Sequence, residues 1–276
     1  MRNYFTVLTI AGSDSSGGAG IQADIKTMSA IGCYGMSAIT SITAQNTTGV
    51  RSIMPVTPQV VADQIDMVME DVPPLAIKIG MLCNAEIAAT VADKLEQYRP
   101  GNVVLDPVMV STSGSLLLEQ DAIDVVTSRL FPLSTIITPN QHEARVLTGE
   151  TETDRQARVL MDMGAENILI KGGDTDRNDV KIDFLYLDKK ISPIRLSSDA
   201  VDTPNTHGTG CTLSSAIASF LALGYDLTSA VRHAKLYISH ALEAGSFVTV
   251  GKGHGPVNHF FSPRRLKNYN PKTFNR

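Results

Sequence analysis

The sequence predicts an α/β protein: a three-layer sandwich with a mostly parallel central sheet and helices on both faces. Three observations carry that expectation. Short β-branched apolar runs alternate with longer amphipathic ones, which is the rhythm of βαβ units. Several of the short runs are apolar on both faces, as strands buried between two layers are. Glycine and polar residues gather directly after these runs, where open parallel sheets hold their ligands.

The elements follow in order. Residues 5–12 (FTVLTIAG) form the first strand, because a glycine-rich turn and a helical pattern over residues 21–31 come directly after it. A weak signal peptide also fits the one arginine and short apolar run there, and is set aside for the same reason. Residues 37–43 (SAITSIT) form the second strand. The helical pattern of residues 58–70 leads into 75–80 (LAIKIG), that of 86–98 into 102–106 (NVVLD), and that of 122–130 into 135–138 (TIIT). Residues 167–173 (NILIKGG) add another strand, 184–196 (FLYLDKKISPIRL) read as an antiparallel hairpin, and 209–223 with 227–244 read as a closing helix pair. No repeat or low-complexity segment interrupts them.

With 276 residues and 43% hydrophobic content the chain can bury a large core, and no linker argues for a second unit. The expected organisation is one domain over residues 1–262, followed by a polar, basic and loosely held tail over 263–276. Twenty-four basic against 28 acidic residues, with no basic stripe, exclude a nucleic-acid partner. Cys33, Cys83 and Cys211 form no CxxC or Cys/His spacing, so a reduced compartment and no structural zinc are expected. No apolar run approaches the roughly 18 residues needed to span a bilayer.

Two glycine-rich stretches stand out among the strand ends. In GSDSSGGAGIQAD, Gly18, Gly20 and Ala23 fit the dinucleotide pattern G-x-G-x-x-A. That reading needs an acid at the end of the second strand, and ITSITAQN has none; no Lys-Ser/Thr pair makes it a Walker loop either. It is a glycine-relieved turn or a substrate-shaped loop, and the polarity of Ser13, Asp14, Ser15 and Asp24 favours the second. In HGTGC, Gly208 and Gly210 permit unusual dihedrals that let N–H groups converge at a helix N-terminus. Such a nest suits a phosphoryl group gaining charge in transfer, the alternative being a simple N-cap. Cys211 sits at the same positive end, where a lowered thiol pKa is expected.

Three further positions belong with an anion. TPNQHEA sets Asn140 and Glu143 at a helix start, a Mg²⁺ ligand pattern or a cap. Asp106 ends the buried strand VVLD, where its charge needs a cation or donor nearby, and Lys171 ends ILIK. Metal, lysine and N–H nest together are the parts of a triphosphate site.

The segments TIAGSDSSGGAGIQADIKTMSAIGCYGMSAIT, TAQNT, KIGML, LDPVM, TPN, KGG, NTHGTGCT and GKGHGPVNH together resemble the bacterial hydroxymethylpyrimidine/phosphomethylpyrimidine kinases of thiamine biosynthesis, in the ribokinase-like superfamily. The resemblance runs in order from Thr9 to about His259. It implies a ribokinase-like sandwich and ATP-dependent phosphorylation of 4-amino-5-hydroxymethyl-2-methylpyrimidine and then its monophosphate, with ATP and Mg²⁺ as cofactors. It also implies an anion hole at Gly208, Thr209, Gly210 and Cys211, the cysteine standing where sugar kinases carry an aspartate base. Gly12, Asp24, Gln45 and Met81 become the pyrimidine contacts. Asp106, Asn140, Lys171 and Gly172 become the nucleotide side, with Glu143 and Asp106 toward the metal. Asp174 departs from the family's KGGH. His142, His233 and His240 read as surface or packing residues, and Cys33 and Cys83 as core thiols. The expected setting is the cytoplasm, with a homodimeric assembly. The alternatives are a pyridoxal or pyridoxine kinase, which uses the same GTGC helix, and a ligand-sensing protein without turnover.

Overall fold

A strand that is apolar on both faces is stable only when each face meets another layer, and that requirement sets the arrangement of this chain. A computed structural model describes residues 1–109, 120–172 and 179–274. The end of the loop after Asp106, the last residue of the NILIKGG run and Asp174 lie outside the described residues. In chain order the elements are β1 (Asn3–Tyr4), β2 (Thr6–Asp14), α1 (Gly20–Ile31), β3 (Tyr34–Asn46), β4 (Gly49–Pro55), α2 (Pro58–Asp71), β5 (Ala76–Ile79), α3 (Ala85–Tyr98), β6 (Val103–Leu105) and α4 (Gln120–Val125). A π-helical segment, Val126–Leu130, carries α4 into α5 (Phe131–Leu133). Then come β7 (Ile136–Ile137), α6 (Gln141–Thr148), α7 (Thr153–Asp162), β8 (Ile168–Ile170), β9 (Val180–Tyr186), β10 (Ile194–Asp199), α8 (Thr209–Ala222), α9 (Leu227–Gly245) and β11 (Asn268–Tyr269).

Nine strands form one sheet in the order β10-β9-β8-β7-β6-β5-β2-β3-β4. The six from β8 to β3 run parallel, and β4, β9 and β10 pair antiparallel at the two edges. The chain leaves β2 for β3 on one side and later returns to β5 on the other, so a topological switch point lies at β2. Alternate residues of each parallel strand serve different layers. Leu8, Ile77, Val103, Ile137 and Ile168 join the core under α2, α3, α6 and α7, whereas Val7, Ala76, Val104, Ile136 and Leu169 pack under α1, α8 and α9. Short side chains on α8, Ala216, Ala218 and Ser219 among them, are fully buried and bring this helix close to the sheet.

The structure departs from the sequence expectations in three places. The second strand runs on to Asn46 and folds back as β4, an edge strand with no buried residue, which hides its period. The polar segment Thr153–Asp162 is a helix held by Gln156, Ala157, Leu160 and Met161 on one face. The tail is not loose. β11 pairs with β1, and Arg264 N and Lys267 N donate to Ala30 O and Gly32 O. Tyr269 and Phe274 cluster with Phe5 in tilted and edge-to-face contacts, with centroids 4.6–5.3 Å apart, two aromatics that the polar composition of the segment concealed. No helix among the described residues is long and apolar enough to cross a membrane.

Candidate active site

All six parallel strands end on one rim of the sheet, and their carboxyl ends open into a crevice of about 410 Å³. β2 contributes Gly12 and Asp14, β3 Gln45, β5 Lys78 and Met81, β6 Asp106, β7 Asn140 and β8 Lys171, while the start of α8 closes the far wall. Gly208 makes that closure possible. Its φ of +80° places it in the left-handed region, and a Cβ there would collide with the carbonyl of Gly18. The helix that follows has no side-chain cap, so the N–H groups of its first turn offer an anion site.

Gly210 differs from expectation. It lies inside α8 with no left-handed backbone, and a Cβ would stand 3.3 Å from Asp106 Oδ2 and 3.4 Å from Lys171 Nζ. Its missing side chain clears space beside the lysine and does not shape the turn. Cys211 is half-buried at the same turn. Burial pushes its thiol up to about 11, reversing the lowering expected from the helix end. Lys78 and the Gly20 N–H oppose the rise, while Asp24 and Asp106 add to it.

Beside this turn Lys171 Nζ lies 2.8 Å from Asp106 Oδ1 and 3.9 Å from Glu143 Oε2. Asp106 also accepts from Thr138 Oγ1 at 3.2 Å and Ser214 Oγ at 3.4 Å, so the strand-end carboxylate has its cation. Glu143 is pushed up to about 7 by burial, against the pull of Lys171 and with the help of Asp106. Asn140 lines the crevice, but its Oδ1 accepts from Glu143 N while Glu143 Oε2 accepts from Asn140 N, both at 2.8 Å. That is a capping box on α6. No group of three His, Cys, Asp or Glu side chains is placed to hold a metal among the described residues. Two carboxylates on this crevice do fit Mg²⁺, which keeps waters and phosphate oxygens as its other ligands, and burial holds Glu143 up, a rise that a cation would relieve.

Gly12, Met81 and Gln45 line the end of the crevice nearest β3. Asp24 does not. Its carboxylate is fully buried and accepts from Lys78 Nζ at 2.8 and 3.0 Å, from Thr9 Oγ1 at 2.6 Å and from Ser215 Oγ at 2.6 Å. Those partners occupy it and correct the expectation of a pyrimidine contact. Gly172 is likewise off the crevice: its N–H donates to Asp183 Oδ1 at 2.9 Å, and a Cβ would strike Ile182 O. His142, read as surface or packing, lines the crevice. His233 and His240 are packing residues against Phe220 and Phe261.

His207 and Asp14 are the residues that motif reading undervalued. His207 Nε2 lies 2.8 Å from Asp14 Oδ2 and 3.3 Å from the Gln45 amide nitrogen. Asp14 also accepts from the amides of Ser16, Gly18 and Ala19. Burial raises Asp14, but His207 and the Ser16 and Ala19 donors outweigh it and hold the carboxyl at about 2. A depressed carboxyl contributes stability that is complete above its unfolded pKa and lost as pH falls through the folded one, here between about 4 and about 2. Asp14→Asn is therefore expected to cost about 2 kcal/mol at pH 6, with about half of the difference gone by pH 3. Urea denaturation of both proteins at the two pH values checks this, and a pH-independent difference contradicts it.

Comparison with known proteins gives a consistent result. Residues 14–258 match the family model described as phosphomethylpyrimidine kinase. The chain is 46% identical over 259 residues to the hydroxymethylpyrimidine/phosphomethylpyrimidine kinase of Rhizobium meliloti, covering 92% of this chain and 96% of the relative. It is also 46% identical over 270 residues to the thiamine biosynthesis bifunctional protein ThiED of Geobacter sulfurreducens, covering 95% of this chain but only 54% of that longer protein. Among solved structures, the phosphomethylpyrimidine kinase of Clostridium difficile superposes with a TM-score of 0.74 at 45% identity, covering 86% of this chain and 99% of the other. The pyridoxal kinase of Staphylococcus aureus in complex with AMP-PCP and pyridoxal gives 0.82 at 33% identity, covering 92% and 93%. The fold is thus ribokinase-like.

Proposed function

Because the chain belongs to the phosphomethylpyrimidine kinase family, we propose that its crevice transfers the γ-phosphoryl group of ATP to the hydroxymethyl oxygen of 4-amino-5-hydroxymethyl-2-methylpyrimidine and then to the resulting monophosphate. The observation that carries this reading is the placement of Lys171 beside the uncapped start of α8, in one crevice that Cys211 also lines. Phosphoryl transfer asks a protein for positioning and charge neutralisation. Lys171 and the N–H groups after Gly208 supply both on the phosphate side. Glu143 and Asp106 are the residues that would hold Mg²⁺, which when bound neutralises phosphate charge. Cys211 orients the attacking hydroxyl or takes its proton. The thiols of Cys33 and Cys211, which form no disulfide, support a reducing cytoplasm. The exposed Ile42 on β3 and its cross-strand partner Met54 on the edge strand β4 support a homodimer.

Gln45 is the proposed reader of the pyrimidine edge. Asp14 needs the His207 Nε2 proton, so the 3.3 Å approach of Gln45 Nε2 sets two donors together. Turning the carboxamide end for end sets its oxygen beside that N–H, which it shares with Asp14, and lets its nitrogen donate to Thr43 Oγ1, whose own proton goes to Ser13 O. One N–H and one lone pair then remain for the crevice, the complement of a ring nitrogen beside an amino group. Pyridoxal lacks that edge. Gln45→Leu is expected to cost about 1 to 3 kcal/mol, or about 5- to 150-fold in kcat/KM, for the pyrimidine and much less for pyridoxal. An equal fall for both substrates contradicts it.

The reaction itself is tested by incubating the protein with Mg-ATP and each of hydroxymethylpyrimidine, its monophosphate and pyridoxal, and reading mono- and diphosphate products by mass spectrometry. Pyrimidine diphosphate is the expected product. Phosphorylation of pyridoxal alone would move the assignment to the second kinase class, and no ATP consumption with any substrate would favour a sensing protein.

A further inference from the structure

We propose that Lys78 is a positioning residue that acts through Cys211: a fixed buried cation on the crevice floor, locked by Asp24, that makes the thiolate of Cys211 accessible. The proposal rests on the reading of Cys211 as the residue facing the substrate hydroxyl.

Strand β5 is apolar except at Lys78, which falls on the same side as Ala76, toward α1 and α8. A lysine there is costly unless it has a partner and a task. Its partner is Asp24 on α1, and both side chains have no exposed surface. The pair is fully furnished: Thr9 and Ser215 take the remaining positions on the carboxylate, and burial lowers the Lys78 ammonium while Asp24, Cys211 and Asp106 together outweigh it and hold it above its ordinary value. Gly80 leaves it room, since a Cβ at that position would stand 2.7 Å from Nζ.

The pair is placed under the reacting end of the crevice. Lys78 lines the same crevice as Gly12, Met81 and Cys211, and Ser215, which donates to Asp24, lies one turn beyond Cys211 on α8. An apolar pair of equal volume would stabilise a core as well or better, so stability alone does not account for a charge in this position. The charged groups that bear on the thiol are Lys78 from β5, Asp24 from α1, Asp106 after β6 and Lys171 after β8. The Gly20 amide at the start of α1 adds a donor. Of the influences that favour the thiolate, Lys78 is the largest. In the transfer step the thiolate accepts the hydroxyl proton while the substrate oxygen bonds to the γ-phosphorus and the bond to the ADP oxygen breaks.

The test is the pH dependence of iodoacetamide alkylation at Cys211 in the full chain without nucleotide, read by peptide mass spectrometry so that buried Cys33 and Cys83 are scored separately. In Asp24→Asn/Lys78→Met, which removes both charges together, the titration is expected to move up and alkylation at pH 9 to slow several-fold, because of the two influences removed that of Lys78 is the larger. In the near-isosteric Asp24→Asn, which keeps the cation and removes the anion, it is expected to fall. Opposite movements are something a purely structural pair would not produce. An unchanged titration in the double variant, or a rise in Asp24→Asn, overturns the proposal. If thermal denaturation shows the double variant unfolded, the single variant decides by itself. A thiol that moves as stated while kcat stays constant supports Lys78 and removes Cys211 from the role of base, so the two readings fail separately.

Discussion

Cys211→Ala is expected to lower kcat by about 10² to 10⁴, the range for loss of a positioned general base, with little change in stability. The side chain is small and half-buried, and the turn that presents it is shaped by Gly208, so truncation removes the sulfur and leaves the anion site standing. The raised thiol adds a sharper expectation. With its pKa pushed up to about 11, only a small fraction is thiolate at neutral pH, and that fraction grows about tenfold for each pH unit below the pKa. If the thiolate takes the proton, log kcat climbs with a slope near one between pH 7 and 9, and the climb is absent in Cys211→Ala. A flat profile in the wild type with a large alanine effect would make the sulfur an orienting group only. Near-normal turnover in the variant would remove Cys211 from the chemistry altogether.

What the sequence made legible, and what it did not, follows the range of the interactions. The parallel strands were readable because residues such as Val7 and Leu8, or Val103 and Val104, are apolar in succession, and only a two-sided burial explains that. Strand ends were readable for the same reason, since Asp106 and Lys171 interrupt apolar runs. The error at Asp24 is of another kind. A carboxylate in the first helix after a glycine loop has two destinations, crevice or core, and Lys78, 54 positions away, decides between them. The lysine in LAIKIG carried the missing signal, a lone charge in a buried strand. His207 and Asp14 are 193 positions apart, and neither motif alone says that they meet. Gly210 shows the limit of glycine reading: two glycines in GTG are equivalent on paper, yet only Gly208 has the left-handed backbone.

Lys171→Met is expected to show the other large effect, and it separates electrostatics from packing. Lys171 stands between Asp106 and Glu143, and burial lowers its pKa while those two carboxylates raise it further than burial can pull it down. Removing the cation leaves two carboxylates, both nearly inaccessible to solvent, facing each other, a loss on the order of 3–5 kcal/mol for a broken buried pair. The sign of its pH dependence is fixed by Glu143. That group already sits at about 7 with the lysine present, and without it the carboxyl titrates higher still. Protonation then relieves the repulsion, so the destabilisation is larger at pH 8 than at pH 6. Urea denaturation of wild type and variant at both values reads the difference, and an effect that is equal at the two, or larger at pH 6, contradicts the charge cluster. Turnover is expected to fall by about 10² to 10³ as well, the cost of losing one stabilising group at a developing charge. Lys171→Arg keeps the cation while changing its shape, so it is expected to retain most of the stability and less of the rate. A rate as low as that of Lys171→Met in a fully stable Lys171→Arg protein would place the requirement on the position of the ammonium.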